Sequence, residues 1–200
     1  MFCKLADDFY NMEHTTDIDE PTLIERITAY IRSGDRKSAA AEYAVLVKRY
    51  SPQVFGFISK MIDNQDDIKD LAQNTFIKAF NNLTKFEGRA SFHTWVCRIA
   101  YNATINHLKS RKSFFVNIDD TDIPDDDPND DYFSTGDEER IEQLEAAIDL
   151  LPPDDQMLLH LYYYDDKPFK EIAFIMDTDG NTLRVRLHRI RRKLQGMITA

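Results

Sequence analysis

Between Asp119 and Asp131 eight of 13 residues are aspartate, and Pro124 and Pro128 stand among them. Mutual repulsion and proline keep such a segment extended and unable to build a core. A chain of 200 residues interrupted there folds on either side of the break, as two modest bodies joined by an acidic linker.

Charge follows the same division. Residues 1–35 carry three basic and eight acidic side chains, residues 36–112 carry 13 and six, and residues 113–155 carry one and 16. Residues 156–182 carry two basic and five acidic, and residues 183–200 carry six basic and none acidic. The formal net charge of −10 alone argues against a nucleic-acid partner. Its arrangement, +7 over residues 36–112 and +6 over residues 183–200 with −15 over residues 113–155 between them, argues for one.

Other classes are not expected. No apolar run approaches the roughly 20 residues of a membrane span, so membrane insertion is not expected. Asp7, Asp8 and Glu13 lie where a secretory signal would be apolar. Cys3 and Cys97 are too few for a disulfide framework or a Cys-rich zinc site, which points to a reducing cytoplasm. His14, His93, His107, His160 and His188 lack metal-ligand spacing, and no phosphate loop or nucleophile motif is visible. We therefore expect no enzyme, no cofactor and no metal.

The periodicity is helical throughout, giving an all-α expectation. Pro21 suits the first turn of a helix bearing Leu23, Ile24 and Ile27. A second helix is predicted around Ala39–Tyr50, with Pro52 opening a third through Val54, Phe55, Ile58 and Ile62. Over Asp66–Leu83, Ile68, Leu71, Ala72, Thr75, Phe76, Ala79 and Phe80 form a buried stripe, with Asp66, Asp70, Gln73 and Asn74 on another face. That face is either a favourable match to the helix dipole or a docking face for a partner helix.

After Lys85-Phe86-Glu87-Gly88-Arg89-Ala90, Ser91 can cap a helix whose core stripe is Phe92, Trp95, Val96, Ile99 and Ala103. Arg98, Asn102, Lys109, Arg111 and Lys112 fall off the stripe. Rings interleaved with cations suit single-stranded nucleic acid, where bases stack and phosphates meet charge. Phe92 reads better as core, whereas Phe86, on the loop beside Gly88, suits either role.

In the second body Glu138–Leu151 is predicted helical, and Asp154 or Asp155 can cap a helix through Leu158, Leu159 and Leu161. A short helix at Pro168–Met176, a turn at Asp177-Thr178-Asp179-Gly180 and a long helix at Asn181–Ile198 form a helix-turn-helix pattern. Leu183, Leu187, Ile190, Leu194 and Ile198 must face inward, which turns Arg184, His188 and Arg191 outward, flanked by Val185 and Arg192. A helix of this kind reads the major groove with its first turns.

Together these residues resemble a sigma factor of bacterial RNA polymerase, in the compact ECF (extracytoplasmic function) class. Asp67-Ile68-Lys69-Asp70-Leu71-Ala72-Gln73-Asn74-Thr75-Phe76-Ile77-Lys78-Ala79-Phe80 is similar to the region 2 pattern, with Asn74 where the family usually has Glu. Phe86-Glu87-Gly88 through Phe92-His93-Thr94-Trp95 and Ile99-Ala100-Tyr101-Asn102 continues it. Leu151-Pro152, Glu171-Ile172-Ala173 and Thr182–Leu194 resemble region 4. The resemblance implies an N-terminal extension at 1–20, a region 2-like domain at 21–112, an acidic linker at 113–136 and a region 4-like helix-turn-helix domain at 137–200.

It also implies roles. Asp67, Asp70 and Gln73 would dock on the β′ clamp helices of core RNA polymerase, whose β subunit is a further partner. Lys78, Phe86, Arg98, Ile99 and Asn102 would capture a flipped base of the −10 element, where stacking and edge hydrogen bonds offset the cost of unpairing. Thr182, Arg184, Val185, His188, Arg189 and Arg191 would face the −35 duplex. The linker would thread the polymerase's basic RNA path, and an anti-sigma factor is a further partner, as is common in the class. The competing expectation is a two-domain helix-turn-helix transcriptional regulator that never docks on core polymerase. Only the initiation factor needs the Phe86–Phe92 loop and the Asp70/Gln73 face.

Overall fold

The computed structural model describes residues 19–111 and 138–198, and these contain helices, turns and loops but no strands. The acidic linker and residues 1–18 of the N-terminal extension lie outside the described residues.

Helix α1 (Glu20–Ser33) begins as the sequence predicts, with Pro21 in its first turn and the Asp19 carboxylate accepting from Thr22 N at 3.1 Å. Gly34 closes it at φ +83°, a left-handed position that costs glycine little. Helix α2 (Arg36–Ser59) departs from expectation, because one helix runs straight through Pro52 where two were predicted. An interior proline costs about 3 kcal/mol through its lost N–H and its ring clash. Beyond it Val54, Phe57 and Ile58 are buried, each worth about 1.5–3 kcal/mol, so packing outweighs the break. The Ser51 hydroxyl donates to the Val47 carbonyl at 2.6 Å beside the proline.

Helix α3 (Gln65–Asn82) starts at Asn64, whose side chain accepts from the backbone of Asp66 and Asp67 at 3.0 Å. Its predicted stripe is buried from Ile68 to Ala79, and Phe80 is half-buried against Tyr43. After a 3-10 turn (Leu83–Lys85), helix α4 (Phe92–Arg111) opens on Ser91, which accepts from Thr94 N at 3.0 Å. Helices α2, α3 and α4 pack on one another, and α1 closes over α2.

The second body comprises α5 (Glu138–Asp149), α6 (Pro153–Leu159), a π-helical turn (His160–Tyr164), α7 (Phe169–Met176) and α8 (Gly180–Ile198). Pro152 caps α6, so Asp154 and Asp155 lie in its first turn rather than at the cap. The left-handed residue of the α7–α8 turn is Asp177, at φ +55°, and Gly180 is the first residue of α8. Short Asp side chains tolerate that conformation by hydrogen bonding locally. Leu183, Leu187, Ile190 and Leu194 face inward as predicted, against a core that includes Leu158, Leu161, Ile172 and Ile175.

The two bodies are in contact, chiefly where α4 lies against α7. No described helix is long and apolar enough to cross a membrane.

Candidate nucleic-acid interface

In the first body the loop between the 3-10 turn and α4 sits on an aromatic cluster. Phe92 is fully buried, and its ring lies 5.6 Å from Tyr50, 6.0 Å from Phe86 and 5.9 Å from Trp95. Phe86 and Trp95 are 5.2 Å apart and only half-buried, so one face of the cluster is core and the other reaches the surface. Gly88 takes φ +68° at the bend. Phe92 is therefore core and cannot stack on a base, while Phe86 is anchored by core rings and still accessible.

The remaining residues expected at the −10 element divide between two helices. Lys78 is exposed on α3 and Asn102 is exposed on α4, with Ile99 half-buried. Arg98 is engaged elsewhere: its guanidinium pairs with Asp177 and lies 4.9 Å from the centre of the Phe174 ring. Both partners belong to the other body.

The acidic face of α3 also divides. Asp70 and Gln73 are exposed beside Asp66 and Asn74. Asp67 instead turns toward the end of α4, where Arg111 donates to it at 2.6 Å and His107 lies at 3.7 Å.

On α8 the outward residues are held by their own domain. Asp179 accepts from Asn181 N and Thr182 N at 2.9 Å and pairs with the Thr182 hydroxyl, whose carboxylate partner falls below its ordinary pKa through the Thr182 hydrogen bonds. Thr182 thus serves the helix start. Arg184 donates to Asn181 Oδ1 at 3.0 Å with its guanidinium 5.2 Å from the Phe169 ring, and Arg191 donates to the Tyr163 hydroxyl at 2.6 Å beside the Tyr162 and Tyr163 rings. Stacking of this kind holds a guanidinium fork with little rotamer freedom left to lose on binding. Val185 and Arg189 are exposed, and His188 is half-buried with no hydrogen-bond partner for Nε2 among the described residues. Arg186 points inward, donating to Asp155 at 2.6 Å with Asp154 at 3.7 Å.

A set of polar residues that sequence reasoning missed joins the bodies. The Thr94 hydroxyl donates to Glu171 at 2.9 Å, and its backbone and hydroxyl both engage Ser91. Lys167 donates to the same Glu171 oxygen at 2.5 Å. Burial alone would raise the Glu171 pKa, but these hydrogen bonds outweigh it and the carboxyl lies below its ordinary value. The Tyr101 hydroxyl donates to Asp154 at 3.1 Å, and Lys60 meets Asp165 at 3.2 Å. Burial pushes the Tyr101 phenol up and the His93 and His160 imidazoles down. Thr94 and Glu171 are 77 residues apart, so no local pattern pairs them.

Family comparison matches the chain to Sigma-70 region 2 over residues 46–114 and to Sigma-70 region 4 over residues 141–194. An ECF RNA polymerase sigma-E factor of Haemophilus influenzae is 29% identical over 192 residues, covering 90% of this chain and 96% of its own length. An RNA polymerase sigma-H factor of Pseudomonas aeruginosa is also 29% identical, over 88% of this chain and 92% of its own length. Among solved structures, the Bartonella quintana sigma factor RpoE, crystallised with the anti-sigma factor NepR, superposes with a TM-score of 0.54. It is 20% identical, over 80% of this chain and 98% of that one. CnrH, solved with the cytosolic domain of CnrY, superposes with a TM-score of 0.53 at 17% identity, over 88% and 97% of the two chains.

Proposed function

Because the chain belongs to the ECF class of sigma factors, carrying both region 2 and region 4, we propose a residue-level reading of how it initiates transcription. It is not an enzyme but a factor that binds core RNA polymerase and directs it to promoter DNA. In our reading residues 21–112 melt and read the −10 element and residues 137–200 read the −35 duplex. The chain works in the cytoplasm, and an anti-sigma factor is a partner, by analogy with the solved complexes of its relatives.

The observation that carries the reading is the aromatic cluster at the Phe86 loop. Phe86 stays half-exposed because Phe92 and Trp95 hold it from below. A ring fixed in this way can receive an unstacked base, an interaction worth roughly 1–3 kcal/mol per base. Asn102 supplies edge hydrogen bonds, Lys78 and Arg98 supply cations, and Ile99 supplies an apolar wall. Asp70 and Gln73, both exposed, dock on the β′ clamp helices, joined by Asp67 once it leaves Arg111. On α8, Arg184, Val185, Arg189 and Arg191 reach duplex DNA, His188 lies between them, and Thr182 orders the helix start.

Reconstitution with core polymerase tests the reading. The purified chain co-elutes with core enzyme and supports transcription from its cognate promoter. Arg184→Ala weakens −35 duplex binding, and Asn102→Ala impairs −10 opening. Promoter-selective transcription unchanged in both variants would remove the site assignments. A chain that binds duplex DNA but never co-elutes with core would instead be the helix-turn-helix regulator.

A further inference from the structure

A row of three rings borders the outward face of α8. Tyr162 and Tyr163 lie in the π-helical turn, where Asp165 N donates to the His160 carbonyl at 3.0 Å. Neighbouring residues of an α-helix do not face each other. Here the two rings meet edge to face, 4.9 Å apart, so the turn presents both tyrosines together. Turns of this kind occur often at functional sites. Tyr162 in turn packs on Phe169, 5.0 Å away. Arg184 lies at the Phe169 end of the row and Arg191 at the tyrosine end. The two arginines are two turns apart on α8, about 10 Å along its axis.

We propose that Tyr163 and Arg191 form one phosphate clamp on the −35 duplex, in which the tyrosine hydroxyl both positions the guanidinium and donates to the DNA backbone. The proposal rests on the reading of α8 as the −35 helix and adds to it a residue that lies outside that helix. A recognition helix meets base edges with its first turns. Arg184 is placed there, whereas Arg191 lies two turns later, where contacts to phosphate fix the register of the helix on the duplex. A phenol has one proton to donate and two lone pairs that accept. Arg191 Nε donates to the Tyr163 oxygen at 2.6 Å, so the phenolic proton is directed away from the guanidinium. Accepting from a cation polarises the O–H bond and strengthens it as a donor. A phosphate seated against the pair therefore receives one bond from the phenol and one from the guanidinium. Tyr163 is 47% exposed, which keeps the side chain within reach of DNA. The guanidinium centre lies 5.9 Å from the Tyr162 ring and 5.6 Å from the Tyr163 ring, so little rotamer freedom is left to lose on binding.

The test uses holoenzyme reconstituted with the full chain. Its affinity is measured for a fluorescent duplex carrying the cognate promoter and for the same duplex substituted at its −35 bases. Tyr163→Phe keeps the ring and removes only the hydroxyl. It should weaken binding about three- to ten-fold. The factor should be the same on both duplexes, because a phosphate contact carries no sequence information. In an Arg191→Ala background the same change should cost less than about two-fold, since the two groups act as a unit. Arg184→Ala should instead narrow the difference between the duplexes. Single phosphates replaced by uncharged methylphosphonates should reveal one whose loss weakens the wild type but not the Tyr163→Phe, Arg191→Ala double variant. Tyr163→Phe within about two-fold of the wild type, with Arg191→Ala weakened, would overturn the clamp and leave the −35 reading in place. The clamp would equally fall if the Tyr163→Phe loss were confined to the cognate duplex, persisted undiminished without Arg191, or matched no phosphate. Unchanged binding in both Arg184→Ala and Arg191→Ala would remove α8 as the −35 helix, and the clamp with it.

Discussion

Phe92→Ala should cripple the first body, and the structure sets the size of the effect. The ring is completely buried and touches Tyr50, Phe86 and Trp95, with centroids 5.6–6.0 Å away. Truncating a buried Phe costs about 3–5 kcal/mol, and the upper half of that range applies where the surroundings cannot collapse into the cavity. Three stiff rings collapse poorly, and each lost aromatic pair removes about 0.5–1.5 kcal/mol beyond its area. A loss of about 4 kcal/mol is a large share of the stability of a small domain, which holds roughly 5–15 kcal/mol in total. Trp95 is the only tryptophan in the chain, so its fluorescence in urea reports this body alone. The midpoint should fall sharply with little change in slope, while Phe92→Leu, which keeps most of the volume, should cost only about 1 kcal/mol. An alanine variant less than about 1 kcal/mol below the wild type would refute the reasoning and return Phe92 to the surface.

Acid should loosen the molecule in two steps. Burial, aided by the Lys167 charge for His93 and the Lys60 charge for His160, holds both imidazoles below their ordinary value of 6.5 against the pull of Asp165 on both and Glu171 on His93. Their neutral forms stabilise the fold above that value, so urea midpoints should hold steady above about pH 7 and fall as pH drops through the lower folded values. Glu171 adds a second loss below its ordinary 4.5, where Lys167 and Thr94 lose their carboxylate. Midpoints that stay flat from about pH 7 to 5 would contradict the desolvation of the two histidines. Gly88→Ala should destabilise the first body by about 1 kcal/mol through its left-handed backbone alone, since a Cβ there meets nothing within 4 Å. It should also weaken −10 oligonucleotide binding by displacing Phe86, and unaltered thermal stability would exclude the strain.

The elements that proved legible were those in which local rules and burial agree. Ser91 caps α4, the α3 stripe is buried where its spacing places it, and the α8 leucines face inward. Pro52 misled because proline is a local signal, whereas the burial of Val54, Phe57 and Ile58 beyond it is a tertiary gain. The α7–α8 turn was legible as a turn but not in detail, because nothing in its residue types singles out Asp177 as the left-handed position or Gly180 as the first helical residue. Among the site residues, exposure at Asp70, Gln73, Lys78, Asn102, Arg184 and Val185 follows from helical phase. The partners of Asp67 and Arg98 do not, since each depends on which helices come together in space.

That distinction changes what the charge arrangement means. Six cations among residues 183–200 overstate the basic field that α8 offers DNA, because Arg186 is turned inward onto Asp154 and Asp155. Those two aspartates were counted with the acidic stretch, yet they form part of the helix-turn-helix domain, where one also receives the Tyr101 hydroxyl. Arg98 and Arg111 are likewise balanced inside the folded chain, by Asp177 and Asp67. A cation paired with a carboxylate must first exchange that partner for a phosphate, so it adds less to affinity than an exposed one. The affinity of the free chain for DNA is therefore set by the cations its own carboxylates leave unoccupied. Of these pairs only Arg98–Asp177 joins the two bodies, while Arg111–Asp67 and Arg186–Asp155 each hold helices of one body together.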